Sequence, residues 1–381
     1  MACAAYTWAH HAHGVPIARS VLGIAVSEAG FVVQLVALVL GAACLPLVAA
    51  RHRRWLLIAQ GAICVIAWGV AGAAFLAVLV GLWATLELRA IGRARFVIAV
   101  GAIAAPSGCA IAGGEVAAAG LVFSVMFGMR LAVYGYERFQ DDTPVPIADF
   151  LAYMLVAPLI VVPPYMAFVP LFASFELPAP TRARLAAAGR HLALAVVFGA
   201  ALAAARSLFD SLDGEILRFY GRLVVELLDF AALVHLVLAA LLAHGIELRS
   251  PIDRPAFSTS FLDLWRRFGS HLREAQMFLF YTPVVLRLRR VNRYVVLIAA
   301  AAWTMIVGNT LLHVVIRYCF LADPWPRIGA ALIANTLMAM AIAIELCLEE
   351  KRRRSGRERT MWGRIVGWAV AMTLAATVLA L

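Results

Sequence analysis

Charge is scarce in this chain. Asp, Glu, Lys and Arg make up 14% of its 381 residues, against about 25% in an ordinary soluble domain. Hydrophobic residues reach 64% and mean hydropathy is +0.89, which excludes a water-soluble globule: a core of this size cannot hide that much apolar surface. Period-two alternation is also missing, which excludes a membrane β-barrel. In hydrocarbon every backbone N–H and C=O must then be paired within helices, so the fold class is all-α and polytopic. The six cysteines include no CxxC pair, and most fall inside apolar runs, where they pack as small hydrophobes. No disulfide framework and no metal site is legible. The N-terminus lacks the basic region and short apolar core of a cleavable leader. Its His10, His11 and His13 read as a solvated tail.

What charge there is leans one way, with a formal net charge of +11. In a polytopic chain Lys and Arg gather in cytoplasmic loops and set topology, and the Arg runs here sit between apolar spans. Nucleic acid is therefore not an expected partner, whereas membrane lipids are. A ruler of about 20 apolar residues per crossing predicts spans near 29–49, 96–113, 116–136, 187–207, 222–244, 274–286, 294–320, 327–348 and 361–381. The stretch 55–88 is too long for one crossing and breaks at Gly69 and Gly72. The stretch 147–175 is interrupted by Pro158, Pro163 and Pro164. The total is roughly ten or eleven transmembrane helices in a single membrane domain, 1–381. The run 351–359, then Arg51–Arg54 and Arg89–Arg95, mark the cytoplasmic side, and the last span ends on the far side. A multi-pass membrane protein is expected.

Three segments break the apolar monotony. The prolines of 149–168 prevent a regular helix, and broken backbone at membrane depth must be covered by protein or line a cavity. The polar, basic stretch 245–272 places Phe261, Leu264, Trp265 and Phe268 at i, i+3, i+4 and i+7. That is one helical face, with Arg266 and Arg267 off it, as in a helix lying in the membrane interface. The third is His313, an ionisable residue inside a span and so a functional candidate by default. Asn309 lies four residues before it and Arg317 four after.

The segment 229–283 resembles the signature region of the membrane-bound O-acyltransferases. The matching residues are Asp229-Phe230, Gly245, Ile252-Asp253-Arg254-Pro255, Ser258, Ser260-Phe261, Asp263-Leu264-Trp265-Arg266-Arg267-Phe268 and Tyr281-Thr282-Pro283. Segment 149–168, with Pro158 and Pro164, resembles a second family element. The family-like core then covers 149–320. The resemblance implies helices around a tunnel through the membrane. It also implies acyl transfer from a thioester donor (acyl-CoA or acyl carrier protein) to a hydroxyl of a cell-envelope or extracellular polymer, beside a periplasmic or extracytoplasmic partner protein. No bound cofactor is implied. His313 takes the family's catalytic role, with Asn309 or His271 as polar partner. Arg266 and Arg267, with Trp265 and Asp263 beside them, would hold the donor near the cytoplasmic mouth. The chain departs from the pattern at four places. Gly269 stands where the family has a His, His235 where it has an Asp, Pro163 where the second element has a Gly, and His313 lies two positions late. Two residues are about 200° on an α-helix. A catalytically silent relative that binds lipid or acyl chains, or serves assembly, is the second reading. A transporter is the third, and it would predict an internal symmetry that the sequence lacks.

Overall fold

A computed structural model describes residues 28–67, 70–88, 92, 94–111, 128–141, 143–156, 181–210, 215–248, 250, 253–267, 270–315, 325–356 and 360–380. For some of these, including 103–111, 270–272 and 312–315, it describes the backbone alone. Every regular element among the described residues is helical. The expected span 116–136 falls mostly outside them, as do Pro158, Pro163, Pro164 and the N-terminal histidines. Among the described residues three helical stretches are long and apolar enough to cross a membrane: Arg182–Phe209, Arg293–Leu311 and Ile328–Ser355. Shorter apolar helices cover Val36–Leu47, Gly72–Glu87 and Leu227–Ala243. The chain divides into two compact units, Met1–Ala200 with Leu228–Arg249, and Ala201–Leu227 with Ser250–Leu381.

The first unit contains α1 (Glu28–Cys44), α2 (Ala50–Ile66), α3 (Val70–Glu87), α4 (Ala94–Ile111), α5 (Gly128–Gln140) and α6 (Ile147–Met154). It also takes α7 (Arg182–Asp210) up to Ala200 and α8 (Glu215–Ala243) from Leu228. The expected break within 55–88 lies between α2 and α3. A Cβ on Gly72 would sit 1.9 Å from the Val65 carbonyl oxygen, so the bare glycine backbone lets the start of α3 close onto the end of α2. α6 stops where the buried guanidinium of Arg130 donates to the carbonyls of Tyr153 (3.1 Å) and Met154 (2.9 Å). A cation there satisfies orphan carbonyls and favours the negative end of the helix dipole. α8 ends at Gly245, whose φ of 75° suits a glycine that terminates a helix.

In the second unit follow α9 (Phe261–Arg267), α10 (Ser270–Gln276), a π-helical turn (Met277–Tyr281), α11 (Thr282–Arg287), α12 (Arg293–Ala302), a 13-residue π-helical segment (Trp303–Val315), α13 (Trp325–Ser355) and α14 (Met361–Ala380). Pro283 gives the first π turn a cause: it has no N–H for the carbonyl four residues earlier, and its ring pushes that carbonyl away. α12 starts where the Asn292 side chain accepts from the Tyr294 N–H at 2.9 Å, an ordinary N-cap. α13 runs through its basic last turn and stops at Gly356, with φ of 64°.

The expected amphipathic helix of 245–272 exists as α9, but its apolar face meets protein. Phe261, Leu262 and Leu264 are buried among Met305, Met338, Ile342, Ala371 and Met372, with Trp265 half-buried at the edge. The face expected to enter the acyl region therefore forms part of this unit's core. Phe268 lies outside the described residues.

Candidate functional site

Four neutral polar side chains meet inside the second unit. Gln276, at the end of α10, donates through Nε2 to Asn309 Oδ1 at 2.8 Å. Asn309, in the long π segment, donates through Nδ2 to Asn335 Oδ1 of α13 at 2.7 Å. Asn335 donates in turn to Thr310 Oγ1 at 2.9 Å. Gln276, Asn309 and Asn335 are all buried, so the ladder ties three elements together in an apolar interior. There each amide would be costly without a partner. One atom breaks the completeness: among the described residues Gln276 Oε1 is buried with no hydrogen-bond partner, an acceptor that a donor hydroxyl or a water would stabilise.

Helix winding positions this ladder. A Cβ on Gly308 would lie 2.8 Å from the Phe280 ring, so glycine lets the two π segments approach one another. The π winding also bears on His313. A π turn takes in about one residue more than an α turn. Over the stretch from Trp303 to His313 that lag comes to about two residues. Position 313 therefore holds roughly the angular place that position 311 would hold on an α-helix. The side chains of His313 and His271 lie outside the described residues, and their backbones belong to the long π segment and to α10.

The remaining predicted residues sit on α9, and the charged groups among them are engaged within the unit. Arg266 makes a two-pronged ion pair with Glu349 of α13, at 3.0 and 2.9 Å. Arg267 Nε donates to Asp263 Oδ1 at 2.8 Å. The other oxygen of Asp263 accepts from the Thr259 N–H at 2.8 Å and more weakly from its hydroxyl at 3.3 Å. Burial pushes the Asp263 carboxyl up, but the bonds from Thr259 and Arg267 outweigh it and hold that carboxyl below the usual range. Glu345 receives the Phe261 and Leu262 N–H groups at 3.0 and 3.1 Å. The first turn of α9 is thus anchored on α13.

A second polar pair lies in the first unit. His235 of α8 meets His191 of α7 with 2.8 Å between their Nδ1 atoms. The ring centroids are 5.0 Å apart and the planes 29° from parallel. That separation is close to 2.8 Å plus two ring radii, so the rings meet head-on. One Nδ1 must donate and the other accept, which means the pair holds one proton between them. Phe198 lies 5.4 Å from His235 and nearly parallel to it. Nearby in sequence, buried His244 donates from Nδ1 to the Ala240 carbonyl at 2.6 Å, so its Nε2 accepts from Gln60 at 2.9 Å.

The structure therefore brings Asn309 into a cluster with Gln276, Asn335 and Thr310. It joins Asp263 to Arg267 and gives Arg266 to Glu349. Sequence reasoning missed Gln276, Asn335 and His191. Gln276 and Asn335 do carry a signal, since each is an uncharged amide within a largely apolar stretch. His191 carries one only through its partner, 44 residues away. Among the described residues no group of three or more His, Cys, Asp or Glu is placed to hold a metal ion. No protein-family model matches the chain, and no curated protein matches it.

Proposed function

We propose that this chain is a divergent relative of the membrane-bound O-acyltransferases, with ten or eleven crossings of a bacterial cytoplasmic membrane around a tunnel. It moves an acyl group from a thioester to a hydroxyl of an envelope or extracellular polymer. The observation that carries this reading is the π winding of Trp303–Val315. It offsets the two-residue displacement of His313 that otherwise sets this chain apart from the family pattern. In the reaction, neutral His313 takes the acceptor's O–H proton as the oxygen attacks the thioester carbonyl. The C–S bond breaks and the proton passes to the leaving thiolate. The buried amide ladder suits this chemistry: it is polar but uncharged, so it can orient a hydroxyl without competing for the proton. Water exclusion by the apolar surroundings protects the thioester.

A silent relative that binds acyl chains or lipid is favoured by a different observation: Arg266 and Asp263 are already engaged with Glu349 and Arg267. One experiment separates the two. The purified protein is incubated with radiolabelled acyl-CoA and membrane extract, beside a His313→Ala variant of unchanged fold. Label transfer that the substitution abolishes is the expected result. Transfer insensitive to it would move the base to His271 or His235. Donor binding without transfer would establish the silent relative.

A further inference from the structure

The strongest unassigned feature lies where α12 begins and α13 ends. The turn after α11 and the start of α12 present Arg287, Arg289, Arg290 and Arg293, all exposed. The last turn of α13 presents Lys351 to Arg354. The two segments meet, because the Arg354 guanidinium sits over the Tyr294 ring at 5.4 Å from its centroid, a cation–π contact. Arg353 and Arg354 share Glu350. Among the described residues the other six cations have no acidic partner. The patch is thus a dense positive surface at the end of two candidate membrane crossings.

An apolar groove opens one helical turn from this patch. Its volume is about 470 Å³. One wall is Ile298, Ala302 and Ile306, and the other runs along α13 from Thr336 to Leu348. Ile298 follows Tyr294 by four residues, and Cys347 precedes Arg354 by seven, so groove and patch share the same helical faces. The twelve steps along α13 from Thr336 to Leu348 give the groove a length of about 18 Å. The one hydroxyl in the lining, Thr336, is spent on the Leu332 carbonyl at 2.8 Å. Nothing in the groove asks for a polar ligand, and the cations at its mouth outnumber the one carboxylate, Glu350, that two of them share.

We propose that this groove and its basic mouth form a binding site for one anionic phospholipid. An acyl chain lies between α12 and α13, and the phosphate sits among Arg293, Lys351 and Arg354. Charge complementarity selects the occupant. A partner helix would fill the groove but leave the cations unmatched, whereas a phospholipid satisfies both ends at once. The site does not depend on acyl transfer, and the protein would hold this lipid whether or not His313 is a base.

The test uses the full-length protein, stripped of native lipid in detergent. It is offered phosphatidylglycerol or phosphatidylcholine of the same chain length, and bound lipid is counted by native mass spectrometry. One phosphatidylglycerol retained after washing, with phosphatidylcholine lost, is expected. The triple variant Arg293→Gln, Lys351→Gln, Arg354→Gln should weaken that retention at least about tenfold. Ala302→Phe, which narrows the groove and leaves the arginines alone, should weaken it as well. Circular dichroism and gel filtration check that each variant is folded. Equal retention of both lipids overturns the proposal, as does retention unchanged in either folded variant. Palmitoyl-CoA displacing phosphatidylglycerol at lower concentration would overturn the phospholipid assignment and make the groove a donor site.

Discussion

The two units bury polar groups in opposite ways. The first hides charge: Arg95, Arg130 and Arg138 are each 3% exposed or less. Glu87 is their hub. It accepts from Arg138 at 2.8 Å, from the Tyr134 hydroxyl at 2.6 Å and from the Val145 N–H at 3.0 Å. Arg138 also donates to the carbonyls of Asp141 and Thr143. The second unit hides amides, joined in the Gln276–Asn309–Asn335–Thr310 ladder. A buried charge held by many bonds is rigid, because losing any one partner strands an ion. A neutral ladder tolerates rearrangement, because each amide can find another partner at modest cost. By this comparison the first unit is a brace and the second is the more readily rearranged.

The largest expected effect tests the brace. Glu87→Ala leaves Arg138 and the Tyr134 hydroxyl without their shared acceptor, and should cost about 3–5 kcal/mol, read as loss of folded protein on detergent extraction. A loss below about 1 kcal/mol would mean that the hub behaves like a surface pair. Next, Asn309→Ala should cost about 1–2 kcal/mol and lower acyl transfer while leaving the fold intact. A double-mutant cycle with Asn335→Ala should return a coupling energy clearly above zero; additivity would deny the ladder. His191→Phe should cost about 0.6 kcal/mol, the average for hydrogen bonds between membrane helices, and should abolish any shared-proton signal of His235 in nitrogen NMR. The smallest effect is titration of Asp263. Its folded carboxyl lies below the ordinary range, so its contribution is full above an unfolded pKa of about 3.9. That contribution is lost as pH falls through the folded value. The melting difference between the protein and Asp263→Asn should therefore shrink below about pH 4. A difference constant from neutral to acid pH would dissociate Asp263 from α9 stability.

Composition and apolar run length were enough to read the helical class, the break between α2 and α3, and the helix of Phe261–Arg267. They reflect terms that act locally or on totals: hydropathy, glycine, and a period of 3.6. Which way the α9 face points was not legible. Its Phe and Leu suit an acyl layer and a protein core equally, and only Met338, Ile342 and Met372 decide between them. Glu345, which fixes the α9 start, stands 84 residues from the Phe261 N–H it receives. The π winding was hidden for a different reason. Residues 303–315 have the composition of an ordinary apolar helix, and their hydrogen-bond register is set by packing against Phe280 and α13. Asn309 was read as a partner of His313 on i,i+4 spacing, a rule that holds for α turns; its described partners come from α10 and α13.

The long π segment has a consequence for how such chains diverge. A helix that can widen its turns absorbs inserted residues as a vernier absorbs small steps, leaving everything beyond the insertion facing as before. Counting residues between a signature and a reactive side chain then measures chain length, while function follows rotation about the axis. Two proteins can agree in the second and disagree in the first, and comparison column by column will register only the disagreement.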